Sequence, residues 1–157
     1  MMVKGEENLD VMLKGLPQVK VDEWKSEIKQ DEKGEEIFEA YGKISNDEIH
    51  DIKHEADEWT EHYMKVTHLP VHDGIVQALM KDAYVMMNSM FYKTIDDFWG
   101  ANYEFIRAAN AEARKDKVVV DIYETYQKGM AKHYFDAMDY FTENILKDNE
   151  EEYVHLR

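Results

Sequence analysis

The sequence predicts an all-α protein that forms one domain. Apolar residues recur at helical spacing in each long segment, and no convincing strand alternation is present. The 157 residues include only two prolines and seven glycines, so few positions interrupt a helix. A chain of this length can bury one substantial core. We therefore expect a single domain over residues 1–157, ending in a charged tail at about 149–157.

The first part of the chain predicts three short helices. The first covers residues 6–15 and ends at Gly15, which cannot extend a helix favourably. The second begins near Val21 and becomes uncertain in the charged run around Gly34. The third covers residues 35–41, where an apolar face returns.

A capping box marks the start of the next helix. Ser45 is a good N-cap residue, and Glu48 follows three positions later. Apolar residues then alternate three and four apart as far as about Val66, which gives one narrow stripe facing the core. Pro70 and Gly74 end this helix and precede the next one.

The segment over residues 72–99 predicts a central, mostly buried helix. Its apolar positions cover about half of the helix circumference, far more than a surface helix needs. Four of them are methionines, whose flexible side chains adapt to irregular spaces and ligands. The apolar positions are Ile75, Val76, Leu79, Met80, Ala83, Tyr84, Met86, Met87, Met90 and Phe91.

Two further helices are predicted after a bend at Asp96 and Asp97. Ile95, Trp99 and Ile106 begin the apolar spacing of the first of them. The second is predicted as one long helix over residues 117–147, with an apolar face broad enough for two contacts. Such a pair of long helices can meet the same pair of a second chain, as in a four-helix interface.

Composition excludes several classes of function. The 34 acidic and 19 basic side chains give a formal charge of −15, which repels nucleic acid and anionic membrane surfaces. The absence of cysteine excludes disulfides and thiolate chemistry. No segment has the apolar length of a membrane span, and the first residues lack the apolar core of a signal peptide. We expect a cytoplasmic protein without a membrane span.

A histidine stripe is the most obvious candidate metal site. His50, His54, Glu58 and His62 are spaced every four residues, so they share one face of a helix. If Trp59 faces the core, however, His54 and Glu58 point almost oppositely, into water. We therefore expect an exposed histidine stripe and no metal.

His133 lies on the predicted core face of the last helix. A buried histidine needs a hydrogen-bond partner, and a tyrosine, a backbone group or a water is the favoured one. The alternative is a donor to the anionic head of a ligand, assisted by Tyr84, Tyr126 or Tyr134.

No sequence motif indicates an enzyme. There is no glycine-rich phosphate loop, no Gly-x-Ser-x-Gly and no cysteine haem attachment. His68 and His72, which flank Pro70, are candidate haem ligands, although loop histidines are common.

The order of the helices and two long segments resemble the non-haem globin sensor domains of bacilli. The segments are FWGANYEFIRAANAEA at residues 98–113 and VVVDIYETYQKGMAKHYFDAMDYFTENI at residues 118–145. The nearest resemblance is to plasmid-encoded sporulation-inhibitory proteins, which themselves resemble the sensor domain of a sporulation histidine kinase.

This resemblance implies a globin-like bundle of about six to eight helices without haem. It also implies a homodimer through the last two long helices and a tunnel that holds a fatty acid, with no other cofactor. In that family the domain competes with a sensor histidine kinase for its signal, and so inhibits sporulation.

The predicted function is therefore a non-enzymatic sensor domain that binds a fatty acid or a similar apolar ligand. The methionines and Phe91 would contact the ligand body, and His133 and the tyrosines its head group. The predicted ligand-binding residues are Met80, Tyr84, Met87, Phe91, Tyr126, Met130, His133 and Tyr134. The alternatives are a haem- or metal-binding globin-like protein, and an acidic inhibitor of a basic partner.

Overall fold

Nine α-helices and no strand make up the part of the chain that the computed structural model describes, residues 3–157, so the all-α prediction is confirmed. A π-helical turn at Thr142–Leu146 continues the eighth helix. The helices are α1 (Lys4–Met12), α2 (Gln18–Gln30), α3 (Gly34–Gly42), α4 (Asn46–Met64), α5 (Gly74–Thr94), α6 (Tyr103–Lys115), α7 (Lys117–Tyr126), α8 (Met130–Phe141) and α9 (Glu150–Tyr153).

Two apolar clusters hold these helices together. The larger cluster lies between α4, α5, α6 and α8, and its largest buried side chains include Tyr63, Tyr84 and Phe141. The smaller cluster joins α1 and α2 around Trp24. Helix α7 packs against both clusters, with Val118 and Ile122 against the smaller one and other residues against the larger. It thereby connects the two parts of the core.

The predicted capping box at the start of α4 is confirmed. The Glu48 backbone N–H donates to Ser45 Oγ, and the Ser45 N–H donates to Glu48 Oε1, both at 3.2 Å. The predicted stripe is also correct, since Ile49, Trp59 and Tyr63 of α4 are buried. Helical spacing alone predicts the buried face of α4 correctly, because only one side of this helix packs against the core.

The bend predicted at Asp96 and Asp97 is present, and α5 ends just before it at Thr94, short of the predicted end of the segment 72–99. Asp97 has a φ of 56° and Gly100 a φ of 106°, and two left-handed residues interrupt the repeating hydrogen bonds of a helix. Residues 95–102 form a loop instead, and Asn102 caps α6 by accepting from the Phe105 N–H at 2.9 Å. The placement of Trp99 on a buried helix face was therefore wrong.

The prediction of one long helix over residues 117–147 was also wrong. The chain becomes extended at Gln127, with φ −161° and ψ 133°, and Gly129 has a φ of 85°. The Glu124 carboxylate accepts from the backbone N–H groups of Gly129 and Ala131, each at 3.0 Å. These two hydrogen bonds stabilise the turn between α7 and α8. The C-terminal part of the chain therefore forms several short helices instead of one long helix.

A buried indole and a carboxylate join α2 to α7. Trp24 Nε1 donates to Asp121 Oδ2 at 2.9 Å, and Lys20 lies 3.6 Å from the same oxygen. The Trp24 hydrogen bond, with a smaller contribution from Lys20, lowers the pKa of the Asp121 carboxyl below its ordinary value.

The contribution of Asp121 to stability is expected to depend on pH. Because its pKa is lower in the folded protein, its stabilising effect is complete above the ordinary pKa of 3.8 and is lost as the pH falls through the folded value. In urea unfolding, the difference between wild type and Asp121→Asn should therefore shrink between about pH 6 and about pH 3. A difference that stays constant over this range would show that the charge of Asp121 does not stabilise the α2–α7 contact.

Candidate functional site

The eight predicted ligand-binding residues lie on α5, α7 and α8. All except His133 belong to the larger apolar cluster. Four are buried, namely Met80, Tyr84, Met130 and Tyr134. Four are partly exposed, namely Met87, Phe91, Tyr126 and His133. Helical spacing thus placed seven of the eight in or against the larger apolar cluster, and the role of all eight in binding stays a prediction.

Both ring nitrogens of His133 are used within the protein. Nδ1 forms a hydrogen bond with the Tyr63 hydroxyl, and Nε2 lies 2.8 Å from the Leu69 carbonyl oxygen. Since a carbonyl only accepts, Nε2 donates to Leu69, and with the ring hydrogen on Nε2 the Nδ1 atom of the uncharged tautomer is an acceptor for the Tyr63 hydroxyl. Burial raises the pKa of Tyr63 far above its ordinary value, which keeps this hydroxyl a donor. The favoured interpretation, a histidine with tyrosine and backbone partners, is confirmed.

The tyrosines of this region differ in how well their hydroxyls are bonded. Tyr84 donates to the Ala101 carbonyl at 2.7 Å. The Tyr134 hydroxyl has a weaker contact, with Met87 Sδ at 4.0 Å, and its ring stacks on Tyr123 with centroids 4.7 Å apart. Burial raises the pKa of the Tyr123 hydroxyl well above its ordinary value.

The histidine stripe lies on the exposed face of α4, as predicted. His54 Nε2 is 3.1 Å from Glu58 Oε1, an ordinary surface contact one helical turn apart. Among residues 3–157, no three histidine or carboxylate side chains are placed to hold one metal ion. His68 and His72 are likewise exposed.

An open apolar groove, which the sequence did not reveal, lies where α4 ends and α5 begins. Its volume is about 540 Å³. It is lined by His62, Lys65, Val66, Gly74, Ile75, Ala78 and Leu79. Ile75 is largely exposed there, although its spacing places it on the apolar side of the central helix. The unusual width of the apolar face of α5 was the sequence feature that indicated an uncovered apolar surface, because one neighbouring helix could not cover all of that face.

The edge of the groove carries positive charge in an otherwise acidic protein. Lys65 is the C-cap residue of α4 and is exposed, and among residues 3–157 no carboxylate lies within ion-pair distance of its ammonium group. His62 lies one turn before it. The N-terminus of α5 adds a partial positive charge, which Asp73 offsets because its carboxylate accepts from the Ile75 N–H at 2.9 Å. The groove thus combines an apolar lining with one cationic edge.

No protein-family model, curated protein or solved structure matches this chain. Within the described range, every helix is too short or too polar to cross a membrane.

Proposed function

We propose that this protein is a non-enzymatic binding protein for a fatty acid or a similar apolar ligand with one anionic group. The observation that carries the proposal is the groove between α4 and α5. Its volume of about 540 Å³ lies within the range of small-molecule sites, roughly 300–1,000 Å³. An apolar lining with a few polar groups at one edge is also typical of such sites.

The ligand chain would lie against Val66, Ile75, Ala78 and Leu79. Burial of its methylene groups would supply most of the affinity, at about 0.8 kcal/mol for each group removed from water. The carboxylate would lie near Lys65, whose ammonium group is free to move towards it. This arrangement fits a ligand with one charged end.

The groove adjoins the residues that the sequence singled out. The Trp59 indole N–H donates to the carbonyl of Leu79, a groove residue, at 2.8 Å. Trp59 stacks on Tyr63 with centroids 4.9 Å apart, and Tyr63 bonds to His133. Trp59 and Tyr63 therefore link Leu79, in the lining of the groove, to His133, one of the predicted interior residues.

The biological part of the proposal rests on the resemblance to the sporulation-inhibitory sensor domains. In this proposal the protein is a cytoplasmic homodimer that competes with a sensor histidine kinase for the ligand and so inhibits sporulation. Purified protein should then reduce the effect of the fatty acid on autophosphorylation of the kinase, and a variant without ligand affinity should not.

Ala78→Glu is expected to weaken binding of cis-parinaric acid, a fluorescent fatty acid, by about tenfold or more. Ala78 is exposed on α5, so the substitution leaves the core intact. The new carboxylate would be desolvated beneath the ligand and would repel its anionic head. Fluorescence titration, followed by displacement with palmitate, measures the change.

Two further variants make the experiment specific. Ala108→Glu is the matched control, because Ala108 is an exposed alanine of α6 outside the groove, and it should bind as wild type does. The double variant Met87→Ala and Phe91→Ala removes two side chains that would contact the apolar body of a ligand in the interior channel. Loss of binding in the double variant alone would move the site to the interior, and no binding by wild type would contradict the proposed function.

A further inference from the structure

Trp99 is the most exposed large apolar side chain of the described part of the protein. Its exposed fraction is 87%, whereas Trp24 and Trp59 have exposed fractions of 1% and 9%. An isolated surface valine or isoleucine is unremarkable in a soluble protein, but a solvated indole is a large apolar area. Tryptophan is also among the residues most enriched at the energetic centres of protein interfaces.

The loop at residues 95–102, here called the Trp99 loop, is held firmly at its base. The buried Asn88 side chain accepts from the Ala101 N–H at 2.8 Å and donates to the carbonyls of Val154 at 3.1 Å and Leu156 at 2.6 Å. Gly100 lies so close to Val154 that a Cβ atom would come within 2.4 Å of the Val154 carbonyl oxygen. The loop and the last residues of the chain therefore form one packed unit.

Aromatic packing also fixes the residue before the exposed indole. The Phe98 ring contacts those of Phe91, Tyr92 and Phe105, with centroids 5.8, 5.0 and 5.4 Å apart. Trp99 thus projects from a base that is already ordered. A partner that binds it pays little conformational entropy for ordering this loop, which favours binding.

The surroundings of the Trp99 loop are acidic. Asp96 and Asp97 are exposed members of the loop, and the Asp96 side chain is 93% exposed despite Lys43 at 3.7 Å. The Tyr103 N–H donates to Glu150 Oε1 at 3.4 Å, which places the acidic helix α9 beside the loop.

Two cations near the loop lie over rings of this protein. The Arg157 guanidinium lies over Tyr92 at 4.1 Å, and the Lys147 ammonium lies over Tyr103 at 5.3 Å. The Lys81 ammonium lies over Tyr153 of α9 at 4.8 Å. Together with Lys43 and Lys81, these cations only partly balance the two aspartates of the loop and the three glutamates of α9.

We propose that the Trp99 loop docks a partner protein whose surface has an apolar pocket rimmed by lysine or arginine side chains. The indole would fill the pocket, and Asp96, Asp97 and the α9 glutamates would face the basic rim. The acidic residues around the Trp99 loop make the same loop of a second copy a poor occupant, because like charges would face each other. The formal charge of −15 also assists encounter with a basic partner. The proposal does not depend on the groove or on its ligand.

The test uses the intact protein and a display library of random peptides as the probe. We expect selection on wild type to enrich peptides with lysine or arginine beside apolar residues. A synthetic peptide of this kind should bind Trp99→Ala about thirtyfold more weakly, and raised salt should weaken its binding to wild type. Val19→Ala is the matched control, since Val19 is also exposed but lies on α2. It should bind the peptide as wild type does.

Selection of uncharged or acidic peptides, or equal binding by Trp99→Ala, would overturn the proposal. A wild-type oligomer that Trp99→Ala converts to a monomer in light scattering would also overturn it, because a second copy would then occupy the loop. Trp99 is exposed, so thermal unfolding of Trp99→Ala should match that of wild type, and loss of binding cannot be attributed to unfolding.

Charged quenchers of tryptophan fluorescence test the acidic surroundings directly. Trp24 and Trp59 are buried, so quenching in wild type reports on Trp99. Relative to free N-acetyltryptophanamide at the same ionic strength, quenching by caesium should be enhanced and quenching by iodide reduced, because the aspartates attract the cation and repel the anion. Relative quenching that is enhanced for iodide and reduced for caesium would contradict the charge complementarity on which the proposal rests.

Discussion

Asn88→Ala is expected to lower the free energy of unfolding by about 3 kcal/mol, since it removes the hydrogen-bond partner of three backbone groups. Asn88 is completely buried and bonds to the Ala101 N–H and to the Val154 and Leu156 carbonyls. The buried Ala101 N–H in particular would be left without a partner. Urea unfolding followed by far-ultraviolet circular dichroism measures the loss.

Asn144→Ala is the matched control for this prediction. Asn144 is exposed, and its amide donates only to the Tyr140 carbonyl at 3.0 Å, four residues earlier in the chain. Its removal should change stability by less than about 0.5 kcal/mol. Asn88→Ala should also speed removal of the last residues by carboxypeptidase, because their anchor is lost. Equal stability of the two variants would mean that Asn88 does not hold the chain end to α5.

Gly5→Ala is expected to cost about 3 kcal/mol, because α1 crosses α3 too closely for any side chain at this position. An added Cβ would lie 1.7 Å from the Phe38 carbonyl oxygen and 2.6 Å from its carbon. Backbone atoms cannot move aside, so α1 would have to shift away from α3. That shift would lengthen the bonds from the buried Asn8 amide to the carbonyls of Tyr41 at 2.7 Å and Ile44 at 2.9 Å.

Gly74→Ala provides the comparison for Gly5→Ala. Both glycines are helical, but no atom lies within 4 Å of a Cβ added at Gly74. The alanine there should be neutral or stabilise by up to about 0.5 kcal/mol, because it restricts the unfolded chain. Thermal and urea unfolding of the two variants should therefore differ clearly. If Gly5→Ala is as stable as Gly74→Ala, the close approach of α1 and α3 does not exist in solution.

Part of the candidate site was predictable because it depends on positions within single helices. The spacing of Met80, Tyr84 and Met87 on α5 and of Met130 and Tyr134 on α8 places these residues on core faces, and the structure brings the two faces together. The groove beside Ile75 was not predictable. Whether an apolar position of α5 is covered depends on where α4 ends and on which helices pack nearby.

The sequence by itself determined the all-α class, the start of α4 at its capping box and the apolar faces of the helices, because each depends on residues a few positions apart. Tertiary structure decided where the long apolar segments break and which side chains stay exposed. Asn88 fixes the Trp99 loop through carbonyls 66 and 68 residues further along the chain. Periodicity carries no information on such distant partners, so Trp99 was placed on a buried face although it projects into water.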